Sequence, residues 1–319
     1  EELNRFFAAA VVQTEPGAPR RARQQLRFTL NGSTRIGYDD NVDLDQAEDS
    51  DMFYQERFGG RVEYDPTGWE VAGKPVTLGS TAYYHYLGYF DRDDMNRQSG
   101  TLSPFVRFGL GDRMTLETGY EVRGNHYEEQ DALNYWSHAA RVELTHRLAP
   151  GLSHSGEFRY ESLGYSDRWK LNDNLTFSSD DDRRDGQYQA IYGGRYHVGR
   201  WTFRLEGSWK HNDSNDNYFN YNDYDDWGLD GSVSVRTTER WILTGFGGWH
   251  NRSYDDRPIA FGSATVQDDD WYYAGGRVFF ALNTWSGMDV TATFSENSSN
   301  SAQHEYQDFT TSAGFHLYF

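Results

Sequence analysis

No cysteine occurs among the 319 residues. Its absence excludes disulfides and thiolate chemistry, and it suits a chain that folds in an oxidising periplasm. No stretch approaches the roughly 18 continuous apolar residues that a membrane helix needs. Basic residues fall short as well: 30 Lys and Arg stand against 49 Asp and Glu, a formal charge of −19. Such a balance argues against nucleic acid and against a polybasic membrane-surface binder. There is no serine in a nucleophile-elbow context, no His-Glu-x-x-His and no glycine-rich phosphate loop. On composition alone, a soluble all-β protein is the plain reading.

Aromatic residues and glycine are abundant instead, at 17% and 32 residues. The apolar residues sit at alternate positions. In the last segment Phe309, Thr311, Ala313, Phe315, Leu317 and Phe319 alternate with Thr310, Ser312, Gly314, His316 and Tyr318. In a strand those two sets lie on opposite faces. The same alternation, bounded by turn residues, predicts about fourteen strands. They fall near 24–38, 53–64, 76–90, 98–110, 113–125, 132–148, 152–164, 186–198, 201–212, 224–237, 240–251, 270–282, 286–297 and 306–319. Tight turns such as Gly111-Asp112-Arg113 and Ala149-Pro150-Gly151 alternate with longer polar loops, among them 39–52, 165–185, 213–223 and 252–269.

An even strand number with short turns at one end and long loops at the other is the layout of transmembrane barrels. The strand at 201–212 sets Trp201, Phe203, Leu205 and Trp209 against Thr202, Arg204, Glu206, Ser208 and Lys210. A second sheet packed on the charged face would strand those charges, so that face needs water. The expected fold is therefore all-β, a transmembrane antiparallel barrel with short periplasmic turns and long acidic extracellular loops. Tryptophans at strand ends would form two girdles: Trp201, Trp241 and Trp285 by the turns, and Trp136, Trp209, Trp227, Trp249 and Trp271 by the loops.

The acidic residues gather at the loop end. Asp39, Asp40, Asp43 and Asp45 belong to the first loop, Asp180, Asp181 and Asp182 to the fourth, and Asp268, Asp269 and Asp270 to the sixth. This extracellular rim would gather divalent cations or bridge to lipopolysaccharide. The spacing Asp39-x-Asn41-x-Asp43 has part of a calcium-loop pattern, but Leu44 occupies the glycine position and Ser50 the glutamate position. Only loose calcium binding is expected, and no other cofactor.

The inward faces carry the opposite bias, with fourteen basic and nine acidic candidates. Expected pore-lining residues are Arg107, Arg141, Arg159, Arg204 and Arg277, with Glu117, Glu143 and Glu157. Either these pair into a stiff wall or the arginines form a constriction that favours anions. Rim histidines beside aspartates, His126, His211 and His250, leave a hydrolytic dyad as a weaker reading.

A terminal strand like that ending at Phe319 resembles the C-terminal assembly signal of bacterial outer-membrane barrels. The run Gly37-Tyr38-Asp39-Asp40-Asn41-Val42 and the Asn297-Ser298-Ser299-Asn300-Ser301 loop are similar to two related groups, the β-barrel porin group and the barrel domain of surface lipoprotein assembly modifiers. The resemblance implies an outer-membrane location, a lipid and lipopolysaccharide surrounding, and recognition by the barrel assembly machinery. The residues of the first segment set it apart: Leu3, Phe6, Phe7, Ala10 and Val11 ahead of the Pro16-Gly17-Ala18-Pro19 breaker read as a short helix over 1–23 that plugs the barrel, caps it on the periplasmic side or ends a trimmed periplasmic domain, with the barrel over 24–319. Three functions are carried forward. The first is a porin-like channel for small hydrophilic solutes or sugars. The second is a translocation barrel that exports a polymer or surface lipoprotein with a periplasmic partner. The third is an outer-membrane enzyme.

Overall fold

In the computed structural model, residues 26–42, 44, 49–71, 73–171, 177–215, 221–260 and 263–319 are described. Residues 1–23, Asp43 and Asp45 lie outside them. The strands are β1 (Leu26–Asp39), β2 (Asp51–Tyr64), β3 (Lys74–Tyr89), β4 (Arg97–Gly109), β5 (Met114–Tyr127), β6 (Tyr135–Ala149) and β7 (Leu152–Leu171). They continue as β8 (Phe177–Val198), β9 (Trp201–Ser214), β10 (Tyr224–Arg236), β11 (Trp241–Pro258), β12 (Val266–Ala281), β13 (Ser286–Ser299) and β14 (Tyr306–Tyr318). A two-residue strand, Glu70–Val71, pairs with the start of β3.

Each of the fourteen long strands runs antiparallel to its neighbours, and β1 closes the circle on β14 through pairs such as Thr34↔Phe315 and Ile36↔Ala313. Closure leaves no sheet edge unpaired, which a bilayer demands. The seam gains two further backbone bonds at 2.8 Å, between Leu30 and Phe319. Short turns tighten through glycine: Gly151 takes φ 78°, where a β-carbon would lie 2.3 Å from the His197 carbonyl oxygen.

The register sorts the side chains as the alternation predicts. Phe28 (67% exposed), Leu205 (59%) and Val290 (58%) point outward, as do Leu30, Phe158 and Phe294. In water that much exposed apolar surface would be costly; against lipid it is the stable arrangement. Near the long loops the girdle indoles are tied to rim carboxylates: Trp209 Nε1 donates to Asp225 at 3.1 Å and Trp249 Nε1 to Asp270 at 3.0 Å. Trp271 departs from the girdle. Its register turns it inward, where its ring lies 5.4 Å from that of His250.

The loop boundaries also need correction. The segments expected as loops at 165–185 and 252–269 are mostly hairpin: β7 and β8 reach 20 and 22 residues, and β11 reaches 18. Asp180, Asp181 and Asp182 therefore belong to β8, and Asp268, Asp269 and Asp270 to β12. Where a hairpin passes beyond the membrane both faces are wet, so the alternation that marks a strand disappears from the sequence.

Candidate functional site

The register sets Arg107, Arg141, Arg159, Arg204, Arg277, Glu117, Glu143 and Glu157 on the inner face of the barrel, and most are neutralised there. Arg107 meets Glu117 at 2.7 Å and Glu63 at 2.9 Å. Arg61 joins Glu63 at 2.9 Å and Glu117 at 3.6 Å. Arg141 binds Glu117 closely and sits 3.6 Å from Glu143 and 3.7 Å from Glu157. Arg159 bridges Glu121 and Glu161, each at 2.8 Å, while Arg123 also holds Glu121 at 2.8 Å. The result is two adjoining groups: a network running from β2 to β7 through Glu63, Arg107, Glu117 and Arg141, and beside it the Glu121–Arg159–Glu161 group on β5 and β7. The network forms because β3 offers only the short Thr77 and Thr81 at this level, so Arg107 on β4 can reach over β3 to Glu63 on β2. The inserted Phe105 ring supports the reach, with the guanidinium groups of Arg61 and Arg107 at 4.3 and 5.2 Å from its centre. Arg204 lies beside Arg195 and Ser232 on the opposite wall.

Two smaller clusters complete the wall, and each crosses a glycine. Asp289, fully buried, receives Arg35 at 2.9 Å, Arg277 at 2.6 Å and His316 at 2.6 Å. Arg35 passes over Gly314, where a β-carbon would stand 2.7 Å from the carboxylate. On β11, Gly248 lets Tyr273 of β12 donate a short hydrogen bond to Asp230 of β10. Close approach, not turn geometry, requires glycine at both positions.

The basic excess in the lumen is smaller than expected. At the long-loop end the register turns Asp39, Asp51, Asp185, Asp226, Asp269 and Asp308 inward, against Arg97, Arg183 and Arg252. These additions reduce the excess of five to two along the regular register. The rim is thus split between faces: Asp39 and Asp269 look into the mouth, while Asp182, Asp268 and Asp270 look outward. Asp40 accepts from the Phe309 amide and ties the first loop to β14. Asn41, almost wholly buried, does the same through the Gln307 carbonyl at 2.8 Å. Among the described residues no group of three or more acidic or imidazole side chains is arranged to hold a metal ion.

Toward the long-loop end the lumen holds a cavity of 610 Å³ lined by aromatic, amide and charged groups, with Arg123, Arg159 and Glu161 in its floor. Tyr135, Tyr165, Tyr254, Trp271 and Tyr306 supply rings; Gln187, Gln189 and Asn297 supply amides; Arg159, Lys210 and Arg252 supply positive charge. His250 is in its wall, with Asp226 at 3.3 Å from Nδ1 and Asp230 at 3.4 Å from Nε2. Both ring nitrogens face carboxylates, so neither is placed to take a proton from water or a nucleophile. His211 pairs with Asp225 at 3.2 Å on the outer face, away from the lumen.

A family model described as "Putative MetA-pathway of phenol degradation" matches residues 67–265, more than half of the chain. None of the curated proteins matches it in sequence. Two solved structures share the architecture. OmpT (in-vitro folded), an outer membrane protein of Vibrio cholerae, superposes with a TM-score of 0.54 at 10% identity, covering 93% of this chain and 99% of that one. The outer membrane channel DcaP of Acinetobacter baumannii gives 0.53 at 11% identity, covering 95% of this chain and 100% of that one. At such identities the likeness concerns the fold, and the fold is that of proteins embedded in the outer membrane. The chain belongs to the phenol-degradation family described by the matching model, and it is a bacterial outer-membrane β-barrel.

Proposed function

We propose that the protein is a porin-like channel for passive passage of small hydrophilic solutes or sugars. One observation carries the reading: inside the closed barrel a charged, ion-paired wall leads to a 610 Å³ cavity at the long-loop end, lined by rings and amides. Aromatic faces with amide and guanidinium groups suit ring-shaped polar solutes, which stack on one side and hydrogen-bond at the edge. The family description adds phenolic solutes to the sugars as candidates. Because most lumenal charges are paired, selectivity between small ions is expected to be weak. The hydrolytic reading draws no support from His250, whose nitrogens both face carboxylates.

The test is reconstitution of the refolded chain in a planar bilayer, with liposome swelling in sugars and phenols. Steady conductance and solute-dependent swelling are expected. A chain that inserts and conducts nothing would overturn the channel reading.

A further inference from the structure

Three parts of the long-loop end meet at one side chain. The Arg257 guanidinium, near the outer end of β11, lies 4.7 Å from the ring centre of Tyr221 and 4.8 Å from that of Tyr254. Tyr221 belongs to the connection between β9 and β10 and Tyr254 to β11. On a third side, Arg257 Nη2 is 3.2 Å from His304 Nε2, in the connection between β13 and β14. A guanidinium can only donate, so this imidazole nitrogen must accept and the ring must be neutral. The remaining proton then sits on Nδ1, 3.2 Å from Ser301 Oγ, whose hydroxyl donates in turn to the Ile259 carbonyl at 3.3 Å. Asn297 Nδ2 donates to the His304 carbonyl at 2.5 Å and fixes the same turn. His304 and Tyr254 both line the cavity at the mouth.

We propose that the Arg257–His304 contact is an acid-released clasp on the mouth of the channel, an inference that rests on the channel reading. Protonation of His304 would place a second donor, and a second positive charge, 3.2 Å from the guanidinium. The contact must then open and release His304 from Arg257 and the rings stacked on it, leaving the Ser301 hydroxyl on the Ile259 carbonyl as the remaining tie to this side. Charged groups facing the imidazole are Arg257 from β11 and Asp269 from β12; Asp269 is already taken up by Gln267 and Ser299, and the neighbouring Glu305 is exposed. Burial first, then Arg257, hold His304 below its ordinary pKa. The clasp is therefore closed above that pKa and released as the pH falls through it.

Single-channel recording of the full chain tests this. Wild type should give steady current at about pH 7.5 and loop flicker at about pH 5. His304→Gln presents an uncharged acceptor at both values and should stay steady; Arg257→Gln should flicker at both. Flicker at acid pH in His304→Gln equal to wild type, or steady wild-type current at acid pH, would overturn the clasp. If the chain passes no current the channel reading fails instead, and NMR titration of His304 in micelles decides the contact. A pKa below the ordinary value that rises in Arg257→Gln supports the clasp, and an unchanged titration rejects it.

Discussion

Arg35 on β1 and Asp289 on β13 meet at 2.9 Å although β14 lies between them. The contact is possible because Gly314 leaves the inner surface of β14 bare at that level. A β-carbon there would press on the carboxylate at 2.7 Å and on Arg35 Nε at 3.3 Å. Gly314→Ala should destabilise the barrel by about 1–3 kcal/mol, as overpacking of a filled interior does. Urea unfolding in micelles, read by tryptophan fluorescence, checks it.

Removing the carboxylate itself should cost more. Asp289→Asn leaves Arg35, Arg277 and His316 facing an amide in a buried site. The expected loss is about 3–5 kcal/mol, as for other buried ion pairs broken on one side. An unfolding midpoint equal to wild type would show that water already screens this cluster.

Glu117 receives Arg61, Arg107 and Arg141 and is the hub of the larger network. Glu117→Gln should therefore shift the reversal potential in a salt gradient toward anion preference. No shift would mean that these groups do not face the conducting path.

The outer surface makes its own prediction. Val290 is 58% exposed on the lipid side of β13. Val290→Arg should cost about 2–4 kcal/mol in folding from urea into bilayers, whereas the same change at the inward Ser232 should cost far less. Equal costs at the two sites would contradict the inside-out arrangement.

At the mouth, burial raises the Asp223 carboxyl to about 6, with Asp213, Asp255 and Asp185 nearby adding to the rise. The folded state thus holds this proton more tightly than the unfolded state. Its stabilising contribution is complete below the ordinary carboxylate value and is lost as the pH rises through about 6. Asp223→Asn keeps an acceptor for the Ser214 amide, now at 2.6 Å, and removes the charge. The variant should be more heat-stable than wild type at about pH 7.5 and match it at about pH 4. Equal stability at both values would place the carboxyl in free contact with water.

Much of this molecule was legible in its residues. The fourteen strands, their alternating faces and the inward direction of Arg107, Arg141, Arg159, Arg204 and Arg277 follow from a period of two, which the chain itself imposes because successive side chains must point to opposite sides. The segments at 53–64 and 286–297 likewise keep Arg57, Arg61, Glu63 and Asp289 inside. Partnership was not legible. Whether Arg61 reaches Glu117, three strands away, or Arg35 reaches Asp289 depends on barrel curvature and on how bare the strand between them is. The carboxylates on both sides of His250 and the meeting of Tyr221, Arg257 and His304 are of the same kind. Alternation is local, so the sequence alone determines which side chains enter the lumen; distance across strands is global, so only the closed barrel decides which of them meet.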